Sequence, residues 1–104
     1  MLPKVNTLEE FYQRPGRWTK GVTARDKNGN PCETDSGHAV ALCLGAAVYY
    51  VYGPDRVEEI TAELLELINS GLDHTQSFEE LSGWNDCDER TFKDVRSLVT
   101  RAQR

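Results

Sequence analysis

Apolar positions along the chain fall into five groups with different spacings. Leu8, Phe11 and Tyr12 recur at a helical interval behind Thr7-Leu-Glu-Glu10. That string is a capping box, in which the Thr7 hydroxyl accepts the Glu10 amide and the Glu10 carboxylate reaches back. It predicts a short helix to about Arg14, ended by Pro15-Gly16. Trp18 to Arg25 alternates weakly and runs into Asp26-Lys-Asn-Gly-Asn30, a turn sequence. A small β-hairpin is expected, with arms near residues 20–25 and 30–33.

The third group, Gly37 to Tyr52, is apolar on every helical face rather than on one stripe. Such a segment belongs at the centre of a fold. It reads as a central helix capped by Asp35 or Ser36 and stopped at Gly53-Pro54. Gly45 in its middle, beside Ala41, Ala46 and Ala47, predicts close approach by a bulky side chain, with Trp18 and Trp84 as candidates. The fourth group, Val57, Ile60, Leu64, Leu67 and Ile68, makes one face of a helix over about 54–69, with Glu58, Glu59, Glu63 and Glu66 on the other sides and Asn69-Ser-Gly71 as the stop. A second capping box, Ser77-Phe-Glu-Glu80, opens a short helical turn through Leu81. The bend Trp84-Asn85-Asp86 follows, and a last helix over about 91–102 buries Phe92, Val95, Leu98 and Ala102. The fold class expected is mainly α (α+β), with four to five helices around a central apolar helix and one hairpin near residues 20–33. The whole of residues 1–104 is expected to form a single helical domain.

Three pieces of this pattern occur in an order shared with known proteins. They are Trp18…Gly21…Ala24-Arg25-Asp26…Gly29, then Cys43-Leu44-Gly45-Ala46, then Trp84-Asn85-Asp86 ahead of Thr91 and Val95. The chain resembles a family of small bacterial and phage domains of unknown function. Its members often show a W-x-x-G-x-x-A-x-D-x-x-G hairpin, a C-L-G-A helix and a W-N-D before a last helix. The resemblance spans roughly residues 18–102 and implies architecture, with no activity attached. The Tyr-rich end of the central helix and the acidic second helix are not parts of that pattern.

The net charge of −5 is unevenly placed. Residues 1–30 carry six Lys or Arg against three Asp or Glu; residues 31–89 carry one against thirteen; residues 90–104 carry five against one. An acidic middle between two basic ends predicts that the ends fold back onto the middle or that like chains associate. In particular, Arg90, Lys93, Arg96 and Arg101 should lie near Glu58, Glu59, Glu63 and Glu66. The charge argues against a general nucleic-acid binder or a binder of anionic membranes. Three cysteines, an odd number without disulfide-framework spacing, and the absence of an apolar leader suggest a cytoplasmic protein. No stretch is long enough for a membrane span.

Candidate chemistry is sparse. Cys43 with His38 would be a nucleophile and base, but positions five apart on a helix do not face each other; His74 could serve only if the fold brought it close. Cys32, His38, Cys43, His74 and Cys87 supply soft ligands without any metal-binding spacing, so no metal is assigned. Asn85 to Glu89 lacks the glycine and terminal glutamate of a calcium loop. No cofactor is assigned and the catalytic residues are unknown. If a ligand binds, Trp18, Cys43, Trp84, Asn85 and Asp86 are the expected contacts, with Trp84 stacking and Asn85 or Asp86 supplying polar groups. The structural alternative is that Trp84 fills the core while Asn85 and Asp86 pin a bend. Arg14, Arg17, Trp18, Lys20, Arg25 and Lys27 interleave charge with a stacking ring, the pattern that single-stranded nucleic acid uses. The leading expectation is a non-enzymatic interaction or regulatory module, with a protein partner or a second copy of the chain. A ligand-binding protein or enzyme at Cys43 and Trp84–Asp86 is the alternative, and a nucleic-acid binder through the basic termini is third.

Overall fold

The long apolar run divides at Cys43. In the computed structural model, which describes residues 2–69 and 78–104, Ala39–Leu42 is a strand and Leu44–Tyr52 a helix. The strand (β3) pairs antiparallel with β1 (Ala24–Asp26), which also pairs with β2 (Pro31–Cys32), giving the order β2-β1-β3. Ala24 faces Leu42 and Arg25 faces Ala41; the register then slips, so that Asp26 faces Ala39. The central helix (α2, Leu44–Tyr52) therefore starts at Leu44, not after Ser36, and this corrects the expected boundary. Periodicity cannot separate a fully buried strand from a buried helix. What decides is the hydrogen-bonding partner: the Cys43 amide goes to Thr23 O at 3.0 Å, and Leu42 O accepts the Thr19 amide at 3.3 Å. With its amides and carbonyls claimed by neighbouring chain, this half cannot close helical bonds.

The hairpin turn forms as expected, although the arms are shorter. Asp26 Oδ1 accepts the amides of Asn28 and Asn30 at 2.9 and 3.0 Å, an aspartate fixing its own turn. The third strand extends the hairpin into a sheet.

The first helix (α1, Leu8–Phe11) has one turn and stops at Tyr12, ahead of a 3-10 turn at Pro15–Arg17. The Thr7 hydroxyl accepts the Glu10 amide at 3.1 Å and donates to the Glu10 carboxylate at 3.2 Å. The next helix (α3, Val57–Asn69) begins three residues later than expected, because Pro54–Arg56 makes a turn in which the Arg56 amide bonds Gly53 O. The fourth (α4, Phe78–Asp86) is longer than expected and takes in Trp84, Asn85 and Asp86 as its last turn. The cap at Ser77 and the stop at Ser70-Gly71 lie outside the described residues. The last helix (α5, Phe92–Ala102) opens on a capping box of Thr91 and Asp94 that the sequence reading did not pick out.

Packing follows from the apolar faces. α2 contacts α1, α3 and α4, while α3 also packs on α4 and α5. The centre holds Leu8, Phe11, Tyr12, Leu42, Leu44, Val48, Ile60, Leu64, Leu65, Leu81, Val95 and Val99, all essentially without solvent contact. Burying each such side chain contributes about 1.5–3 kcal/mol. Cys43, Ala46 and Ala47 are buried as expected, and Gly45 with them. Val99 replaces Phe92 and Ala102 among the fully buried residues of α5; those two are half-buried at its edge. The result, among the described residues, is five helices with the short α2 at their centre and a small three-stranded sheet.

α3 and α5 are neighbours, as the charge pattern predicted. The link between them comes from beyond the helix, where Arg104 grips Glu63 with two bonds of 2.7 and 2.5 Å. Arg96 instead donates to Glu9 O, and Arg90 stands 4.0 Å from Asp94. No described helix is long and apolar enough to cross a membrane.

Candidate functional site

Of the five residues singled out for ligand contact, Trp18, Asn85 and Asp86 are joined by hydrogen bonds; Trp84 precedes Asn85 in sequence, and Cys43 precedes Leu44, whose amide Asn85 binds. Asn85 is the centre. It lies in the last turn of α4, wholly buried, and its amide group makes four bonds. Its Oδ1 accepts the Trp18 indole N–H at 2.7 Å and the Leu44 amide at 3.0 Å. Its Nδ2 donates to Thr19 O at 3.1 Å and to Asp86 Oδ1 at 2.9 Å. An asparagine side chain offers two donor hydrogens and two acceptor lone pairs, so this one is saturated.

The Leu44 bond has a local cause. Leu44 is the first residue of α2, and its N-cap, Cys43, has no polar oxygen to offer the free amides of the helix start. Asn85 supplies a cap from another helix. Asp86 continues the arrangement, since its Oδ1 also accepts the Gly21 amide at 2.9 Å. Gly21 has φ of +83°, a left-handed conformation that favours glycine, and its N–H is thereby aimed at Asp86.

The end of α4 is held from two sides. Lys20 Nζ donates to three backbone carbonyls, Cys87 O, Asp88 O and Arg90 O, at 3.1, 2.9 and 3.1 Å. These satisfy groups just beyond a helix C-terminus with a cation, which the helix dipole favours. Arg90 lies over the Trp84 ring at 3.9 Å and donates to Trp84 O at 2.8 Å. Trp84 is half-buried against the core. The three sequence pieces that carried the resemblance thus meet at one place: Trp18 and Gly21 from the first, the Cys43–Leu44 junction from the second, and Asn85–Asp86 from the third.

Cys43 is 8% exposed. Burial pushes its thiol up from the ordinary value of 9.0; the Ala46 and Gly45 amides pull the other way without prevailing, and Asp86 adds to the rise. His38 is exposed and precedes β3, whereas Cys43 follows it. The two are separated by a four-residue strand, roughly 13 Å of extended chain, so they form no dyad. His74 lies outside the described residues. Among the described residues no group of three or more His, Cys, Asp or Glu side chains could hold a metal ion.

The basic N-terminal residues are largely engaged with their own chain. Arg17 donates to Val40 O at 3.1 Å, and Arg25 to the Thr19 hydroxyl at 2.7 Å and Gly29 O at 2.9 Å. Sequence reasoning missed that Lys20 and Arg25 are braces rather than surface charges. Their sequence signal is indistinguishable from that of any exposed cation, because the acceptors are backbone carbonyls and one threonine hydroxyl. Among the described residues, shallow grooves lie elsewhere, among them one of about 450 Å³ between the N-terminal arm and α1, one of about 340 Å³ between α1 and α5, and one of about 210 Å³ beside His38.

A model for a family of unknown function (DUF6197) matches residues 12–104. The match takes in every element from Tyr12 onward, including all the residues of the Asn85 cluster. No curated protein and no solved structure matches the chain.

Proposed function

This chain belongs to that family of unknown function, and we propose that it acts as a non-enzymatic interaction or regulatory module whose partner is a protein. One observation carries the reading: the polar groups best suited to chemistry are spent on holding the chain together. Asn85 has no hydrogen-bonding capacity left, and Asp86 and Lys20 are tied to backbone groups. A site that must break its own brace to bind a ligand is a poor receptor, because each buried group left unpaired costs about 1–3 kcal/mol. What remains outward is surface, including the exposed carboxylates Glu58, Glu59 and Glu66 on α3 and the exposed ring of Tyr49.

The alternative, a ligand or nucleophile site at Cys43 and Trp84–Asp86, has the cluster of candidate residues in its favour and the raised, buried thiol against it. Nucleic-acid binding through the termini has less support, since Arg17, Lys20, Arg25, Arg96 and Arg104 all donate within the chain. We also read the chain as one folding unit over residues 1–104, as bacterial or phage in origin from the motif resemblance, and as cytoplasmic from its three free cysteines.

The test is cross-linking in host cells at native abundance, followed by reconstitution of the complex from purified components. A one-to-one complex re-formed at micromolar concentration supports the reading. A chain that stays uncomplexed, and that carries a small molecule through native mass spectrometry, overturns it in favour of the alternative.

A further inference from the structure

We propose that a second copy of this chain docks on the α3–α5 face, the acidic row Glu58–Ala62–Glu66 of one copy lying against the basic row Lys93–Ser97–Arg101 of the other. The inference rests on the interaction-module reading and identifies the partner as the same chain.

The fold leaves charges of both signs unmatched on this face. The charge pattern predicts that the basic ends neutralise the acidic middle, yet several cations go to oxygens that carry no charge. Lys20 bonds three carbonyls, Arg25 a hydroxyl and a carbonyl, and Arg96 Glu9 O. The ion pairs among the described residues are Arg56–Glu59, Arg90–Asp94 and Arg104–Glu63. Glu58 and Glu66 on α3, and Lys93 and Arg101 on α5, are exposed and take part in none of them.

These four residues fall in two matching rows. Positions four apart lie on one side of a helix. Glu58, Ala62 and Glu66 therefore make an acidic row on α3, and Lys93, Ser97 and Arg101 a basic row on α5. Each row is about 12 Å long, eight residues of helical rise. Each has a small side chain at its centre, which lets two helices come close, and long charged side chains at its ends, which reach across the gap. α3 and α5 are neighbours. A two-fold axis along their seam sets each row over the opposite row of the other copy, so the same contact forms twice and the pair closes. Complement and counterpart are thus carried on adjacent helices of one chain, at one spacing.

The net charge of −5 repels a second copy at a distance. That repulsion is largely screened beyond about 8 Å at physiological salt, while charges brought into contact are screened less. Exposed ion pairs are individually weak, so the pairing is loose and sensitive to salt.

Sedimentation velocity of the full chain, from micromolar to millimolar concentration, should show a monomer passing into a dimer. Raising salt from about 0.05 M to about 0.5 M should weaken that dimer. Glu58→Lys/Glu66→Lys makes both rows basic, and Lys93→Glu/Arg101→Glu makes both acidic. Each variant alone should self-associate about ten-fold or more weakly than the wild type. Mixed in equal amounts, the two variants again present opposite rows at both contacts, and association should return to within about three-fold of the wild type. The first variant moves the net charge from −5 to −1, two charges for each substitution. A general charge effect would therefore strengthen its self-association, the opposite of what the rows predict. Circular dichroism checks that each variant is folded. If a double variant is unstable, the single substitutions Glu66→Lys and Lys93→Glu serve the same mixing experiment, since each puts a charge of favourable sign near its helix end. A wild type that stays monomeric at millimolar concentration, variants that self-associate as it does, or a mixture that fails to recover would each overturn the proposal. A cellular complex with a different protein, re-formed undiminished by both variants, overturns the pairing of copies alone and leaves the module reading standing.

Discussion

Asn85 caps a helix that it does not belong to: its Oδ1 accepts the Leu44 amide at 3.0 Å, across 41 positions of sequence. The same oxygen takes the Trp18 indole N–H. One side chain therefore fixes the start of α2, the segment at Trp18 that bridges to Leu42, and the end of α4. Because Leu44 follows directly on β3, the cap also stabilises the point at which the apolar run changes from strand to helix.

Replacing Asn85 tests the brace directly. Asn85→Ala leaves the Leu44 amide, the Trp18 indole N–H and Thr19 O without their partner in a buried site. A loss of about 3 kcal/mol or more is expected from groups of this kind. Asn85→Asp keeps both acceptor bonds but loses the donation to Thr19 O and sets a second carboxylate beside Asp86, so it should also destabilise. Urea unfolding followed by far-UV circular dichroism measures both, and a midpoint unchanged in Asn85→Ala would sink the account of this residue.

Gly45 occupies the second position of α2 and is buried among Leu44, Ala46 and Ala47. Gly45→Leu should overpack the site and lower stability by about 1–3 kcal/mol. Gly45→Ala, with a smaller increment and a better helix former, should do less harm. Denaturant midpoints of the two variants give the order.

The three thiols should separate by burial. Cys87 is exposed, Cys32 half-buried and Cys43 buried. Alkylation of the native protein at pH 7.5 should modify Cys87 first and Cys43 only on unfolding, since burial keeps the Cys43 thiol protonated and covered. Peptide mapping by mass spectrometry reads the sequence of events. Rapid labelling of native Cys43 would instead favour a reactive site.

Tyr12 links the core to alkaline pH. It is fully buried, its hydroxyl donates to Leu42 O at 2.9 Å, and burial holds its pKa well above the ordinary value of 10.0. The unfolded chain releases this proton near 10, whereas the folded chain retains it. Stability from this residue is therefore complete below about pH 10 and declines as pH rises towards the higher folded value. Tyr12→Phe should be less stable at pH 7, through loss of the bond to Leu42 O, by about 1 kcal/mol. It should also lose less stability between pH 9 and 11 than the wild type. Urea midpoints across that range decide it, and parallel curves for the two proteins would contradict the mechanism.

Several features were legible in the sequence because they arise from neighbours along it. The Thr7–Glu10 cap, the Asp26–Asn30 turn, the apolar face of α3 and the stop at Gly53 are short-range arrangements, and each appears in the fold. The central placement of the apolar run was legible too, since a segment without a polar face has nowhere else to go. Its division at Cys43 was not, because an apolar strand and an apolar helix present the same pattern until a sheet partner claims the backbone.

The role of Asn85 was legible only in part. Its residue type suggested a local turn, but its partners come from Trp18, Thr19 and Leu44, and no spacing in the chain announces them. Lys20 and Arg25 belong in sequence to the basic-aromatic stretch Arg14 to Lys27, and in the fold they are bonded to carbonyls and a hydroxyl. Sequence determined the local elements and which segments must be buried, because propensity and hydrophobicity act over a few residues. Tertiary structure decided which polar groups remain free to meet a partner, because a backbone acceptor is present at every residue and only folding selects the one that is used.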